Sequence, residues 1–81
     1  MNAEFQDWRR RLIDKGQINP IGIGMVRNEI VRKFGRPSDF GAFKKKIPQI
    51  LKYSEIEFHF DIKNKDKLIL IYSEELDISI K

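Results

Sequence analysis

The hydrophobic residues of this 81-residue chain change their spacing near Gln49, from a period of about 3.6 to a period of 2. Before this point, apolar residues recur every three or four positions, as they do along one side of a helix. After it, they alternate with polar residues, as in a strand that buries one face. The pattern therefore predicts helices first and a contiguous antiparallel sheet second, which is an α+β arrangement.

A first helix is predicted from Ala3 to about Lys15. Asn2 can cap its start, and Gly16 can end it, because glycine readily adopts the left-handed conformation. Its apolar residues form one stripe: Phe5, Trp8 and Leu12, with Ile13 beside them.

A second helix is predicted from about Val26 to Phe34, where Val26, Ile30 and Phe34 recur every four residues. Gly35 is expected to be a left-handed terminator, and Pro37 prevents the helix from continuing. Helical stop signals are strong here, so this segment is interpreted as a structural helix with a core-facing stripe.

The remainder predicts strands joined by tight turns at Ser54-Glu55 and Asn64–Lys67. The strand segments are Gln49–Tyr53, Ile56–Asp61, Leu68–Tyr72 and, as a last strand or an extended tail, Leu76–Ile80. The predicted fold is one domain over residues 1–81, with the order ααβββ(β). Two N-terminal helices cover one face of a three- or four-stranded antiparallel meander.

Composition narrows the classes of site that the chain can contain. It has no cysteine, which excludes disulfides, thiolate nucleophiles and thiolate metal sites. The start, MNAEFQDWRRR, lacks the apolar core of a secretory signal, and no apolar run approaches the ~20 residues that span a bilayer. We therefore expect a cytoplasmic protein with no membrane partner. Its expected oligomeric state is a monomer or a homodimer.

Charge is distributed unevenly along the chain. Residues 1–52 contain 12 Lys and Arg against 5 Asp and Glu, whereas residues 53–81 contain 4 against 7. Such a gradient can steer charged partners, but it does not determine the fold.

A set of residues between Ile21 and Ser73 resembles a known family. They are Gly24-Met25, Glu29, Val31, Gly35-x-Pro37, Tyr53, Ile56-Glu57-Phe58-His59-Phe60 and Leu68-x-Leu70-Ile71. The pattern is similar to the helix–helix–meander module of the β-barrel assembly lipoprotein BamE (SmpA/OmlA) and of the β-lactamase inhibitor protein repeat. Similar runs also occur in short cytoplasmic bacterial proteins.

This resemblance implies the module's fold, its habit of binding other proteins, and no catalytic residues. Two features depart from the family pattern. Val26 stands where the family usually has a capping Ser or Thr, and the chain has no lipobox cysteine. The second departure argues against a role as an outer-membrane lipoprotein.

Two basic clusters are candidate contact surfaces. Arg9-Arg10-Arg11 either forms a solvated helix face near a C-terminus, where cations are favourable, or contacts phosphates or an acidic protein. Lys44-Lys45-Lys46 lies in a predicted loop with Phe40 and Phe43. That loop either covers buried rings, binds an acidic protein, or binds single-stranded nucleic acid through stacking and charge.

His59 is predicted to share a polar row with Glu57 and Asp61 on the sheet face opposite the phenylalanines. Acidic neighbours two residues away are expected near 7 Å, too widely spaced for a compact metal site. This row is interpreted either as an ordinary polar surface or as a flat protein-docking face. Trp8 is either a core residue or an interface anchor beside the arginines.

The function hypothesis is a small non-enzymatic protein that docks on another protein, of the inhibitor, immunity or antitoxin type, without cofactor or metal. The alternative is a nucleic-acid-binding accessory protein that uses Arg9–Arg11 and Lys44–Lys46. The candidate partner-binding residues are Trp8, Arg9, Arg10, Phe43, Lys44, Lys45, Lys46, Glu57, His59 and Asp61.

Overall fold

The computed structural model describes residues 2–41 and 49–81, and in it two helices precede an antiparallel sheet. The helices are α1 (Ala3–Lys15) and α2 (Arg27–Phe34). The strands are β1 (Asp39–Gly41), β2 (Ile50–Tyr53), β3 (Ile56–Asp61), β4 (Lys67–Ser73) and β5 (Ile78–Ile80). The five strands lie side by side in chain order. The α+β class and the order of helices before strands are confirmed, and β1 is a strand that the sequence pattern did not predict.

Helix α1 has the predicted bounds because both of its ends are capped. The Phe5 backbone N–H donates to Asn2 Oδ1 at 2.8 Å, and Gly16 ends the helix in the left-handed conformation, with φ 66° and ψ 22°. The expectation that Ile13 joins the apolar stripe is wrong, since its side chain is 43% exposed. One residue rotates a helix by about 100°, which turns Ile13 away from Leu12 and out of the core.

Helix α2 begins one residue later than predicted, after Val26, which provides no side-chain cap. The segment before it is held instead by β4: the Gly24 N–H donates to the Leu68 carbonyl, and the Leu68 N–H to the Met25 carbonyl, both at 2.8 Å. Gly35 ends the helix with φ 76° and ψ −155°, so the expected left-handed helical conformation is wrong. Positive φ with an extended ψ is a region that only glycine populates readily.

Side chains from both helices and from three strands share one hydrophobic cluster. At its centre five rings lie 5.3 to 6.0 Å apart in tilted and edge-on pairs; they belong to Phe5, Trp8, Phe34, Tyr53 and Phe58. Each ring is at most 1% exposed. Such pairs contribute about 0.5–1.5 kcal/mol each beyond the area that they bury.

Polar groups at the edge of this cluster are hydrogen-bonded across the fold. Trp8 Nε1 donates to the Ile18 carbonyl at 2.7 Å, and the Tyr53 hydroxyl donates to the Gly35 carbonyl at 2.6 Å. Burial raises the pKa of Tyr53 to about 12. These bonds attach the loop between the helices and the end of α2 to the core, and they satisfy the two polar groups of Trp8 and Tyr53.

Strand β4 contains a bulge opposite the middle of β3. His59 pairs with Leu70, and Phe60 pairs with Leu68, so Ile69 has no residue opposite it in β3. The extra residue explains why Leu68 and Ile71 are both buried although they are three positions apart. It also turns Ile69 outwards, and its side chain is 48% exposed.

Candidate functional site

The sheet has a second face, opposite the hydrophobic cluster, and we call it the open face. Its residues are assigned from the strand register and from the alternation of burial along each strand. They are Ile50, Lys52, Glu57, His59, Asp61, Lys67, Ile69, Leu70, Tyr72 and Ser79. None of these side chains is buried. The described helices therefore leave this face accessible.

Strand pairing arranges the open face in rows across the sheet. The central row runs Ile50, His59, Leu70, and Ile69 lies beside it at the bulge. An outer row places Lys52 opposite Glu57 and continues to Tyr72 and Ser79. At the other side, Asp61 lies opposite Lys67. Opposite charges on paired positions are mildly stabilising, so the two charged rows are compatible with a stable sheet. The largely apolar central row lies between them.

The His59 imidazole is held within the open face by its own strand neighbour. His59 Nε2 lies 2.9 Å from Glu57 Oε1, and the Tyr72 ring stands edge-on to the imidazole with centroids 6.3 Å apart. The expected separation near 7 Å is wrong for these side chains, because the Glu57 side chain is long enough to reach the ring. The predicted grouping of Glu57 and His59 on one face is present in the structure.

A pocket of about 340 Å³ opens on this face near the bulge. It is lined by Gln49, Ile50, His59, Phe60, Asp61 and Ile69. Asp61 Oδ1 accepts the backbone N–H of Lys63 at 3.1 Å. Within the part of the chain that the structure describes, Asp61 makes no ion pair. The pocket therefore combines two isoleucine walls with a carboxylate that has accessible acceptor positions.

Arg9 forms an ion pair that the sequence did not predict. Its guanidinium donates to both oxygens of Glu55, at 2.5 and 3.1 Å, and thereby joins α1 to the β2–β3 turn. The hydrogen bond with Arg9 lowers the pKa of the Glu55 carboxyl, and the same bond raises the pKa of Arg9. Arg10 is 70% exposed and reaches Asp7 at 3.4 Å, so it stays at the surface.

A second bidentate pair joins α2 to the β3–β4 turn. Arg27 donates to both oxygens of Asp66, at 2.6 and 2.9 Å, and its guanidinium lies 4.8 Å from the centre of the Phe60 ring. Both arginine forks thus connect a helix to a turn of the sheet. They neutralise part of the excess positive charge of residues 1–52.

Of the remaining predicted site residues, one is buried, one lies on the open face and four lie outside the described residues. Trp8 is fully buried, so the hypothesis that it anchors an interface is corrected: its indole belongs to the core, where it contacts Phe58. Phe43, Lys44, Lys45 and Lys46 lie outside the described residues. Asp61 lies on the same face as Glu57 and His59, at the pocket.

The apolar part of the open face was missed by reasoning from the sequence. Ile50, Ile69, Leu70 and Tyr72 lie in two predicted strands whose residues were not assigned to either face of the sheet. For Ile50 and Tyr72, strict alternation from a buried neighbour would have found the correct face. For Ile69, no local signal distinguishes the bulged residue within the run Leu68–Tyr72.

No family model, curated protein or solved structure matches this chain. The resemblance to the BamE and β-lactamase inhibitor module therefore remains a prediction. Among residues 2–41 and 49–81, no group of three or more His, Asp or Glu side chains is arranged to hold a metal ion. No helix in that same part of the chain is long and apolar enough to cross a bilayer.

Proposed function

We propose that this protein acts without catalysis, by docking the open face of its sheet on another protein. The observation that carries the proposal is the largely apolar central row, in which Ile50 and Leu70 flank His59 and Ile69 lies beside them. It lies between two rows that each pair a lysine with an acidic residue. Protein interfaces have this arrangement, with an apolar centre and a polar rim that surrounds it. Tyr72 adds a residue type that is enriched among the side chains that dominate binding energy.

The charges of the open face define the chemistry of the partner. Among the described side chains of the open face, Lys52 and Lys67 balance Glu57 and Asp61, so their formal charges sum to zero when His59 is neutral. A highly charged polymer would gain little from such a surface. The partner that fits is a folded protein whose own patch has an apolar centre and a mixed-charge edge.

Inhibitor, immunity or antitoxin action is the form of docking that we propose. Such a protein needs a rigid, accessible surface and no reactive groups of its own, and β2, β3 and β4 supply that surface from a core of packed rings. The resemblance to modules that bind proteins points in the same direction. We place the protein in the cytoplasm, in line with the resemblance to short cytoplasmic bacterial proteins that carry similar runs.

Nucleic-acid binding has less support than protein docking. Arg9 is engaged by Glu55 and Arg27 by Asp66, so two arginines of the basic part of the chain serve the fold. A mobility-shift assay with DNA and RNA over a salt series tests this alternative. Binding whose affinity falls steeply with salt, and less steeply after Lys44, Lys45 and Lys46 are replaced by Ala, would favour it.

The docking proposal is tested by two matched variants. Ile69→Gln changes an isoleucine of the open face that is 48% exposed, and Ile13→Gln changes an isoleucine of α1 that is 43% exposed. Each variant and the parent protein are used to capture proteins from nuclease-treated host lysate. A captured protein is then purified, and its affinity for all three chains is measured by calorimetry.

We expect a partner that binds the parent protein and Ile13→Gln equally and binds Ile69→Gln at least tenfold more weakly, since hot-spot truncations cost about 1–2 kcal/mol or more. A partner that tolerates Ile69→Gln but loses affinity for Ile13→Gln would move the docking site to α1. Conversion of a substrate that is abolished by His59→Ala would instead favour an enzyme.

A further inference from the structure

We propose that the pocket on the open face receives an arginine side chain of the docked protein, with its guanidinium on the Asp61 carboxylate. The inference rests on the proposed docking function, because it identifies a group of the partner that the open face recognises. At about 340 Å³ the pocket lies at the lower limit of small-molecule sites, which suits one side chain better than a cofactor.

Two features of the lining favour a side chain that is apolar along its stem and cationic at its end. Ile50 and Ile69 provide apolar walls, against which a methylene chain can pack. Asp61 is the formally charged residue of the lining. A partner carboxylate would be repelled by it.

Arginine fits this lining better than lysine does. A carboxylate accepts two parallel hydrogen bonds from a planar guanidinium, whereas an ammonium group offers a point charge. The chain already forms such forks twice, between Arg9 and Glu55 and between Arg27 and Asp66. In Asp61, one oxygen accepts from the Lys63 backbone, and acceptor positions on the carboxylate stay accessible from the pocket.

Lys67 is the group that opposes this assignment, because it pairs with Asp61 across the strands. The two side chains form no ion pair among the described residues, but the positive charge of Lys67 on the paired position disfavours a bound guanidinium. Removal of the Lys67 charge is therefore expected to strengthen the binding of an arginine, whereas it would weaken the binding of an acidic group. The sign of this change separates a cationic occupant from an anionic one.

The test uses three capped tripeptides, acetyl-Gly-Arg-Gly-amide and its Leu and Glu counterparts, added to the ¹⁵N-labelled full chain. Amide chemical shifts report both the position and the affinity of binding. For the Arg peptide we expect saturating shifts around Ile50, His59, Asp61 and Ile69, with a Kd on the order of millimolar, because one side chain must offset the cost of association.

Three variants test whether the charge of Asp61 causes these chemical-shift changes. Asp61→Asn, which keeps an acceptor for the Lys63 N–H, is expected to weaken the binding of the Arg peptide about five- to tenfold. Lys67→Gln is expected to strengthen its binding about two- to fivefold. Asp77→Asn, in the exposed β4–β5 turn, is the matched control and is expected to leave the Kd unchanged.

Three results would overturn the inference. These are equal or tighter binding of the Leu peptide, indifference of the Arg peptide to Asp61→Asn, and absence of any saturating shift at the pocket. Each of them leaves the docking proposal to be judged separately, by the captured partner and the Ile69→Gln variant. If Ile69→Gln and Ile13→Gln bind the captured partner with equal affinity, the docking proposal is wrong, even if the pocket binds the Arg peptide.

Discussion

The two faces of the sheet differ in what their side chains do, although they are built from alternate residues of the same strands. On the helix-covered face, Phe58 contacts Trp8 and Phe34 and is fully buried. On the open face, the next residue, His59, is a quarter exposed and contacts Glu57 and Tyr72. Stability is thus concentrated on one face, and the other face is available for recognition.

The difference in stability between the two faces is tested most strongly by changing adjacent residues of β3. Phe58→Ala is expected to cost about 3–5 kcal/mol, because it leaves a cavity among packed rings, and His59→Ala only about 0.5 kcal/mol. Urea denaturation measures both values. Since the first cost approaches the whole stability of a small domain, Phe58→Leu serves as the milder variant, and it should still lose more than His59→Ala. Equal losses of stability would show that stability is not concentrated on the face that contains Phe58.

Glu55→Gln tests how firmly α1 is fixed to the sheet. The variant keeps the shape of the side chain but removes the charge that Arg9 binds, so we expect a loss of about 1–2 kcal/mol, limited by the partial exposure of Arg9. Glu74→Gln, an exposed residue of the β4–β5 turn, is the control and should change the free energy of unfolding by less than about 0.5 kcal/mol.

The pH dependence of the same pair has a defined sign. The pKa of Glu55 is lower in the folded protein than its ordinary value of 4.5. The pair's stabilisation is therefore present above that value and is lost as the pH falls through the folded pKa. The stability difference between the parent protein and Glu55→Gln should shrink as the pH falls below that ordinary value. A difference that is constant down to pH 2 would contradict the assigned role of the carboxylate.

Tyr53→Phe tests the hydrogen bond that joins the core to the end of α2. It removes the donor to the Gly35 carbonyl, and we expect a loss of about 1 kcal/mol at neutral pH. Because burial raises the pKa of Tyr53 to about 12, from an ordinary 10.0, the folded state keeps its proton longer. The contribution of the hydroxyl is therefore complete below pH 10 and is lost as the pH rises toward 12. Parent and variant that lose stability in parallel over this range would contradict it.

Tyr72→Ala is expected to have a small effect on stability, below about 1 kcal/mol, because its ring is only partly buried on the open face. Its effect on the affinity for a docked protein is expected to be larger than its effect on stability. Thermal denaturation and calorimetry with the purified partner measure the two quantities. A variant that loses stability but retains affinity would reverse the proposed roles of this residue.

Much of the fold follows from local signals in the sequence. The bounds of α1 and β3 are those predicted, since a capped stripe and strict alternation are both strong patterns. Strand β1 was missed because it has only three residues, Asp39–Gly41, which are too few to show a periodicity. For Gly35 only the sign of φ was predicted correctly, because its ψ depends on the path of the segment that follows.

The candidate site was less predictable because its determinants are not local. Arg9 and Glu55 are 46 residues apart, and Arg27 and Asp66 are 39 apart, so no spacing rule identifies these pairs. The bulge at Ile69 lies within a run of apolar residues that reads equally well in either register. Glu57, His59 and Asp61 could be grouped because all three occupy alternate positions of one strand.

The claim that the open face docks a protein is tested most directly by methyl cross-saturation. The chain is deuterated, its isoleucine methyl groups are protonated, and the captured partner is added in protonated form. Three isoleucines are similarly exposed, which makes them matched reporters: Ile69 at 48% on the open face, Ile13 at 43% on α1 and Ile23 at 44% between the helices. We predict that the Ile69 methyl signal loses intensity on irradiation of the partner while the Ile13 and Ile23 signals keep theirs. Loss of intensity at Ile13 or Ile23, with Ile69 unchanged, would contradict the account.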